Sequence, residues 1–271
     1  MGKFSRVLFV SDFDRTLTDL HGNVQQRNLA AIRQFIENGG KFTVGSGRSI
    51  PFFRKQAEIV PMNAPCLLYN GAACYDYASG ALSQAQALPQ RAKTVLHALR
   101  MRYPQVRFEV QSAHTHYAFG RNDKRDAILQ NAGVPVVYPQ GEIPEPWLKI
   151  AAYGGYDDPK TPESLSFWDE LLAYASMLGG ADFSVTRSMP HIVELWSASC
   201  NKGTAARALA NRLGRDILVC IGDAPNDTAM LREADIAFCT GDCDPALRQM
   251  GFLPVCACQD GAVADAIAQL S

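Results

Sequence analysis

The most constraining stretch of the chain is Arg6-Val7-Leu8-Phe9-Val10-Ser11-Asp12-Phe13-Asp14-Arg15-Thr16, close to the N-terminus. Val7 to Val10 is short, apolar and rich in β-branched and aromatic residues, which predicts a buried strand. Two carboxylates, Asp12 and Asp14, follow it two residues apart, and then Thr16. Carboxylates at the C-terminal end of a buried parallel strand sit where open α/β sheets place their ligands. Two aspartates this close repel each other unless a cation or a shared proton intervenes, so a divalent metal is the least costly arrangement. A solvated turn that happens to contain aspartate is the alternative, and Asp-x-Asp alone does not decide between them.

A chain of 271 residues fits one large domain or two modest ones. With 47% hydrophobic and 20% charged residues it is globular in composition, and a formal net charge of −1 gives no electrostatic basis for nucleic-acid or membrane binding. No apolar run approaches the roughly 18–20 residues of a membrane span. The first residues have neither the long apolar stretch nor the small-residue cleavage site of a secretory signal. The eight cysteines show no Cys-x-x-Cys spacing and the histidines complete no zinc pattern. Buried reduced thiols in a cytoplasmic protein are therefore expected.

Along the chain, a helix is predicted over Val24 to Asn38, with Leu29, Ile32, Phe35 and Ile36 at helical spacing and Gly39-Gly40 as its stop. Lys41 to Val44 reads as the next strand, ending in Gly45-Ser46-Gly47-Arg48, where glycine amides, a hydroxyl and a guanidinium can cradle an anion. A tight turn with an exposed arginine accounts for that tetrapeptide equally well. Pro51 to Ile59 reads as a helix, and Cys66 to Tyr69 as a third strand followed by the turn signal Asn70-Gly71. This β-α-β-α-β alternation predicts a Rossmann-like, doubly wound parallel sheet.

From about Leu82 the pattern changes to hairpins mixed with helices, the mark of an inserted α+β unit. Its edges are expected near 83 and 189, leaving 1–82 and 190–271 as the catalytic core and 83–189 as the insert. The parallel pattern then resumes: Lys202 opens a helix, and the strand Asp216 to Ile221 ends in Gly222-Asp223-Ala224-Pro225-Asn226-Asp227. Three strand ends thus carry chemistry, and in a parallel sheet they share one edge. Acidic oxygens, one amine, one hydroxyl and glycine amides suit a hard cation plus a phosphate. The sequence has no Gly-x-Ser-x-Gly, no Walker A loop and no Gly-x-Gly-x-x-Gly.

Together these motifs resemble those of the haloacid dehalogenase superfamily. Asp12-x-Asp14-x-Thr16 looks like the first motif, Ser46 the second, Lys202 the third, and Gly222-Asp223-x-x-Asn226-Asp227 the fourth. The flanks Ser46-Gly47-Arg48, Asn70-Gly71-Ala72, Glu194-Leu195 and Lys202-Gly203 resemble the Cof-type branch, subclass IIB, in which an α+β cap lies between the second and third motifs. The resemblance implies a Mg²⁺-dependent phosphatase of small phosphomonoesters, a sugar phosphate or similar metabolite. It assigns Asp12 as the nucleophile that forms an aspartyl-phosphate and Asp14 as general acid and base. It gives Asp12, the Asp14 carbonyl and Asp223 to the metal, and Ser46 and Lys202 to the phosphoryl oxygens. Gly47, Arg48, Asn70, Gly71, Asn226 and Asp227 become supporting or substrate-binding residues, with Asp227 or Asn226 orienting Lys202 or a water.

Arg15 departs from the pattern by standing where Cof-type sequences usually have glycine, and it points either into the crevice or outward. His114, His116, Arg121, Lys149 and His191 belong to the cap or its base, where they either select substrate or are structural. A phosphosugar mutase, or a non-catalytic metal- or phosphate-binding protein on the same fold, is the alternative function. The retained Asp12 and Asp14 speak against the second, and the α+β insert against the first. The expected partner is a small phosphorylated metabolite, without nucleic acid or membrane, bound by a monomer or small homo-oligomer.

Overall fold

The computed structural model describes residues 2–154 and 161–270. Its elements begin with β1 (Val7–Ser11), α1 (Gln26–Glu37), β2 (Lys41–Val44), α2 (Ile50–Ala57), β3 (Cys66–Leu68), β4 (Ala73–Asp76) and β5 (Ala81–Ala85). Then come α3 (Ala92–Arg102), β6 (Arg107–Gln111), β7 (His116–Phe119), α4 (Asp123–Asn131), β8 (Val136–Val137), β9 (Lys149–Tyr153), α5 (Pro162–Gly179), β10 (Phe183–Met189) and β11 (Ile192–Ser197). The last are α6 (Lys202–Arg212), β12 (Ile217–Gly222), α7 (Thr228–Glu233), β13 (Ile236–Cys239), α8 (Pro245–Arg248), β14 (Leu253–Pro254) and α9 (Ala262–Gln269).

The chain forms two compact units, one of Met1–Gly47, Gln56–Gln84 and Cys200–Ser271, the other of Arg48–Lys55 and Ala85–Ser199. The first is built on a parallel sheet in the order β14-β13-β12-β1-β2. β1 is buried along its whole length, as its apolar run requires. Alternation along it serves two faces. Leu8 and Val10 join Ala206, Leu209, Met230 and Leu231 of α6 and α7 in one apolar cluster. Phe9 packs on Phe35 of α1 and on Phe42, with ring centroids 5.9 and 5.6 Å apart. Helices on both faces make this the doubly wound α/β fold anticipated from the alternation. β3 differs from the expected third parallel strand: it pairs antiparallel with β4 in a small sheet and touches β2 through a single parallel bridge, Gly45 to Leu67.

The second unit is an α+β unit with a six-stranded sheet, ordered β10-β11-β9-β6-β7-β8. Phe108, Val110, Ile150, Ala152, Val193 and Leu195 form its core with residues of α3 and α5, among them Leu99, Trp168 and Leu171. The other alternate positions carry Arg107, Glu109 and Gln111 on β6, Lys149 and Tyr153 on β9 and Glu194 on β11, beside the apolar Ala151, Ile192 and Trp196. The expected C-terminal edge at 189 is corrected here, because β11 pairs with β10 on one side and β9 on the other. The polar stretch near 190 is therefore a hairpin turn and not a linker. Residues 48–55 also group with this unit, which no sequence pattern announced.

Candidate active site

Asp12 is the first residue past β1 and Asp223 the first past β12. The two strands are neighbours, with Ser11 opposite Ile221. β1 leads outward to β2 on one side, and the returning chain enters beside it as β12 on the other. That reversal of strand order opens the crevice in which doubly wound sheets hold ligands. The sheet topology alone thus puts these two carboxylates side by side.

A tight turn over Phe13–Leu17 shapes the first motif. The Thr18 amide donates to Phe13 O at 3.0 Å, and the Arg15 amide donates to Thr18 Oγ1 at 3.1 Å. The turn places Arg15 at φ +63°, in the left-handed region that costs a residue with a Cβ about 1–2 kcal/mol. A glycine at this position would adopt the same conformation without that cost. Arg15 is exposed, and its charge acts on Asp223. Asp14 lies exposed on the same turn. Thr16 turns inward, fully buried, and donates to Asp223 Oδ1 at 3.0 Å.

Lys202 is the first residue of α6, whose start is fixed by a capping box. Asn201 Oδ1 accepts from the Thr204 amide at 2.9 Å, and Thr204 Oγ1 accepts from the Asn201 amide at 3.3 Å. From this anchored position the buried Lys202 ammonium donates to Asp12 Oδ1 at 2.5 Å and to Asp227 Oδ1 at 2.7 Å. The other Asp227 oxygen accepts from the amides of Asp223 and Ala224, at 3.1 and 3.2 Å, and so closes the fourth-motif loop on itself. Asn226 is half-buried on that loop.

The loops after β2 and β3 interlock. The Ser46 amide donates to Leu67 O at 2.8 Å, and Ser46 O accepts from the Asn70 amide at 3.1 Å. Gly47 has no room for a side chain, because a Cβ would lie 2.9 Å from Asn70 Oδ1. Gly71, at φ +94°, lies so close to the start of α6 that a Cβ would come within 2.4 Å of Asn201 O. Asn70 itself is buried, and neither its Oδ1 nor its Nδ2 makes a hydrogen bond among the described residues. Arg48 belongs to the second unit, where its guanidinium lies 5.1 Å from the Phe52 ring centroid.

Ligand oxygens of Asp12, Asp223 and Asp227 lie within 4.8 Å of one another. Asp227 therefore joins the carboxylate group that the sequence assigned to Asp12 and Asp223. Lys202 is the ammonium bonded within it, so three carboxylates and one lysine leave two negative charges uncompensated. Burial first, and then the Asp227 charge, raise the Asp12 carboxyl well above its usual range, against the pull of Lys202. The same two causes push Asp223 up to about 7, opposed by the Thr16 hydrogen bond. Burial disfavours the Lys202 ammonium, yet Asp12 and Asp227 hold it protonated well above its ordinary range. A hard divalent cation fits this set of buried carboxylate oxygens and matches the missing charge. Asp227, to which the motif resemblance gave the orienting of Lys202 or a water, lies among these carboxylates. The Thr16 contact is the feature that motif spacing did not assign, and the Asp-x-Asp-x-Thr pattern is its sequence signal.

Carboxylates and a buried lysine at the switch point of a doubly wound sheet define an α/β enzyme. Residues 9–267 match the family model of the haloacid dehalogenase-like hydrolases, and the chain belongs to that family. It is 22% identical over 249 residues to 5-amino-6-(5-phospho-D-ribitylamino)uracil phosphatase YcsE of Bacillus subtilis (strain 168), covering 89% of this chain and 86% of that protein. Among solved structures, it resembles a haloacid dehalogenase-like hydrolase from Bacteroides thetaiotaomicron, with a TM-score of 0.82 and 19% identity, over 97% of this chain and 99% of that one. It also resembles the subclass IIB sugar phosphatase BT4131, with a TM-score of 0.76 and 16% identity, over 97% and 98% of the two chains. The fold likeness agrees with the Cof-type pattern of motifs. No helix among the described residues is long and apolar enough to cross a membrane.

Proposed function

We propose that this hydrolase is a Mg²⁺-dependent phosphatase of small phosphomonoesters that works through an aspartyl-phosphate on Asp12. The observation that carries the reading is the buried Lys202 bridging Asp12 and Asp227, with Asp223 beside them. A carboxylate fixed by a lysine at a sheet switch point is a nucleophile held in one orientation, which lowers the entropic cost of attack.

Asp12 attacks phosphorus, the bond to the leaving oxygen breaks, and Asp14 gives that oxygen its proton. Asp14 then takes a proton from water as the water attacks the same phosphorus, which releases inorganic phosphate and restores Asp12. Lys202, Ser46 and the Gly47 loop bind the phosphoryl oxygens. The buried Asn70 carboxamide, packed over Gly47 and without a hydrogen bond among the described residues, suits the same task. Asp12, the Asp14 carbonyl and Asp223 would hold Mg²⁺, with Asp227 next to them. When bound, Mg²⁺ supplies positive charge that offsets repulsion between the carboxylates and the phosphoryl group.

The substrate is a small phosphorylated metabolite. The B. subtilis relative is named for a phosphorylated ribityl compound and the structural neighbour for sugar phosphates, and both support that class. All eight cysteines are free thiols and seven are buried, which supports a cytoplasmic setting. The test is phosphate release from p-nitrophenyl phosphate and a panel of sugar and polyol phosphates, with Mg²⁺ and with EDTA. Metal-dependent release is expected, and no release from any compound under either condition would overturn the proposal.

A further inference from the structure

The chain passes from its first unit to its second just after Ser46. Gly47 closes a segment of the first unit, and Arg48–Lys55 belong to the second. Three contacts inside the second unit hold that short segment. Ser49 Oγ lies 2.8 Å from Nε2 of His116 on β7, the Arg125 guanidinium lies 5.4 Å from the Phe52 ring centroid, and Lys55 Nζ donates to Asn131 O. Of these, the His116 contact is nearest in the chain to Ser46, three residues away.

His116 is 1% exposed and held in one orientation. Its Nδ1 lies 3.1 Å from Glu109 Oε2, and Glu109 is fixed in turn by Arg107 Nε at 2.9 Å and Arg125 Nε at 3.1 Å. Burial alone would raise the Glu109 carboxyl, but Arg125 and His116 keep it ionised. Burial keeps the imidazole on the neutral side, against the pull of Glu109. A carboxylate only accepts, so Nδ1 carries the ring proton and Nε2 accepts from the Ser49 hydroxyl. The Ser49 oxygen in turn accepts from the Phe52 amide at 3.3 Å, and the Ser49 carbonyl from the Phe53 amide at 2.9 Å. The residue that His116 holds therefore also sets the start of α2.

Ser46 is fixed from the other side, by its backbone bonds to Leu67 and Asn70. Only Gly47 and Arg48 separate the two anchored serines, a span of about 10 Å at full stretch, which leaves the loop little slack. We propose that His116 is a positioning residue for the phosphate loop: by holding Ser49 it fixes the far end of Ser46-Gly47-Arg48 and presets the Ser46 hydroxyl and the Gly47 amide for phosphoryl oxygens. The inference rests on the phosphatase reading above, which gives that loop to the phosphate. The link runs along the chain itself and needs no packing of one unit on the other. Donors already in place bind a phosphoryl group without paying for reorganisation.

The test is a double-mutant cycle on the full-length protein with Mg²⁺. Ser49→Ala and His116→Phe should each raise the inhibition constant of inorganic phosphate, and lower kcat/KM for p-nitrophenyl phosphate, by about three- to tenfold, the worth of one hydrogen bond. The double variant should lose no more than either single one, because both remove the same link. His116→Leu serves if the phenylalanine variant does not fold. Variants that unfold at lower urea yet bind phosphate and turn over the ester like the wild type overturn the inference, since a merely structural contact does that. Losses that multiply in the double variant overturn it too, and in both cases the phosphatase reading stands. Wild-type protein that releases no phosphate with Mg²⁺ present overturns that reading and this inference with it.

Discussion

The Thr16 hydroxyl donates to Asp223 Oδ1 at 3.0 Å, joining the first motif to the fourth across 207 residues of chain. The bond fixes one oxygen of a carboxylate that burial has already pushed up to about 7. A partner of this kind orients a metal-binding carboxylate and favours its ionised form. Thr16→Val should therefore weaken Mg²⁺ binding by about 10–100-fold. Calorimetric titration of Mg²⁺ into the metal-free protein reads the effect, and an unchanged affinity would show that Asp223 does not need this bond.

Asp12→Asn should abolish turnover of p-nitrophenyl phosphate, a drop of about 10⁴-fold or more, because the amide cannot form the phosphoryl bond. The shape is conserved and the asparagine keeps an oxygen for Lys202, so circular dichroism should be unchanged. Appreciable residual turnover at saturating Mg²⁺ would remove Asp12 from the role of nucleophile.

Lys202→Met should destabilise the metal-free protein by about 3–5 kcal/mol, because it leaves the buried Asp12 and Asp227 without their ammonium. Mg²⁺ should then raise the denaturation midpoint of the variant more than that of the wild type, since the cation replaces a charge the variant lacks. Urea denaturation with EDTA and with Mg²⁺ measures both. Equal metal-induced shifts in the two proteins would separate Lys202 from the carboxylate cluster.

The second unit's contribution to stability should fall on acidification in two stages, opposite in sign to that of the raised Asp12 and Asp223 carboxyls of the first unit. Burial lowers the His116 pKa below its ordinary 6.5, so the unfolded chain takes up this proton first. The His116 contribution is complete above about pH 6.5 and declines below it, by at most about 1.4 kcal/mol per pH unit. Burial alone would raise the Glu109 carboxyl, but Arg125 and His116 hold it well below the ordinary 4.5. Its contribution is therefore present above about pH 4.5 and is lost as the pH falls further. His116→Gln should flatten the upper stage. Unfolding free energies at pH 7.5, 6.5 and 5.5 decide it, and an unaltered slope in the variant would place the titrating group elsewhere.

How far the chain could be read before folding differs between its two units. In the first, periodicity marked β1, β2, β12 and β13 and the helices between them, because buried parallel strands are written as short apolar runs with charge at their ends. In the second, the hairpin β10–β11 was legible as strands, yet its side of the boundary was not. A polar turn inside a hairpin and a polar linker between units have the same composition, and only the pairing of Ile192–Ser197 with β9 tells them apart.

The sequence by itself determined the ordered motifs, the doubly wound core and the residue types of the site, since each is encoded in local pattern and spacing. The tertiary structure alone decided the partners. It set Asp227 among the carboxylates, gave Thr16 to Asp223, and stood Arg15 in a left-handed turn that its own side chain disfavours. It also joined Ser49 to His116. Those relations depend on strand order and register, which bring together residues that no window along the chain contains.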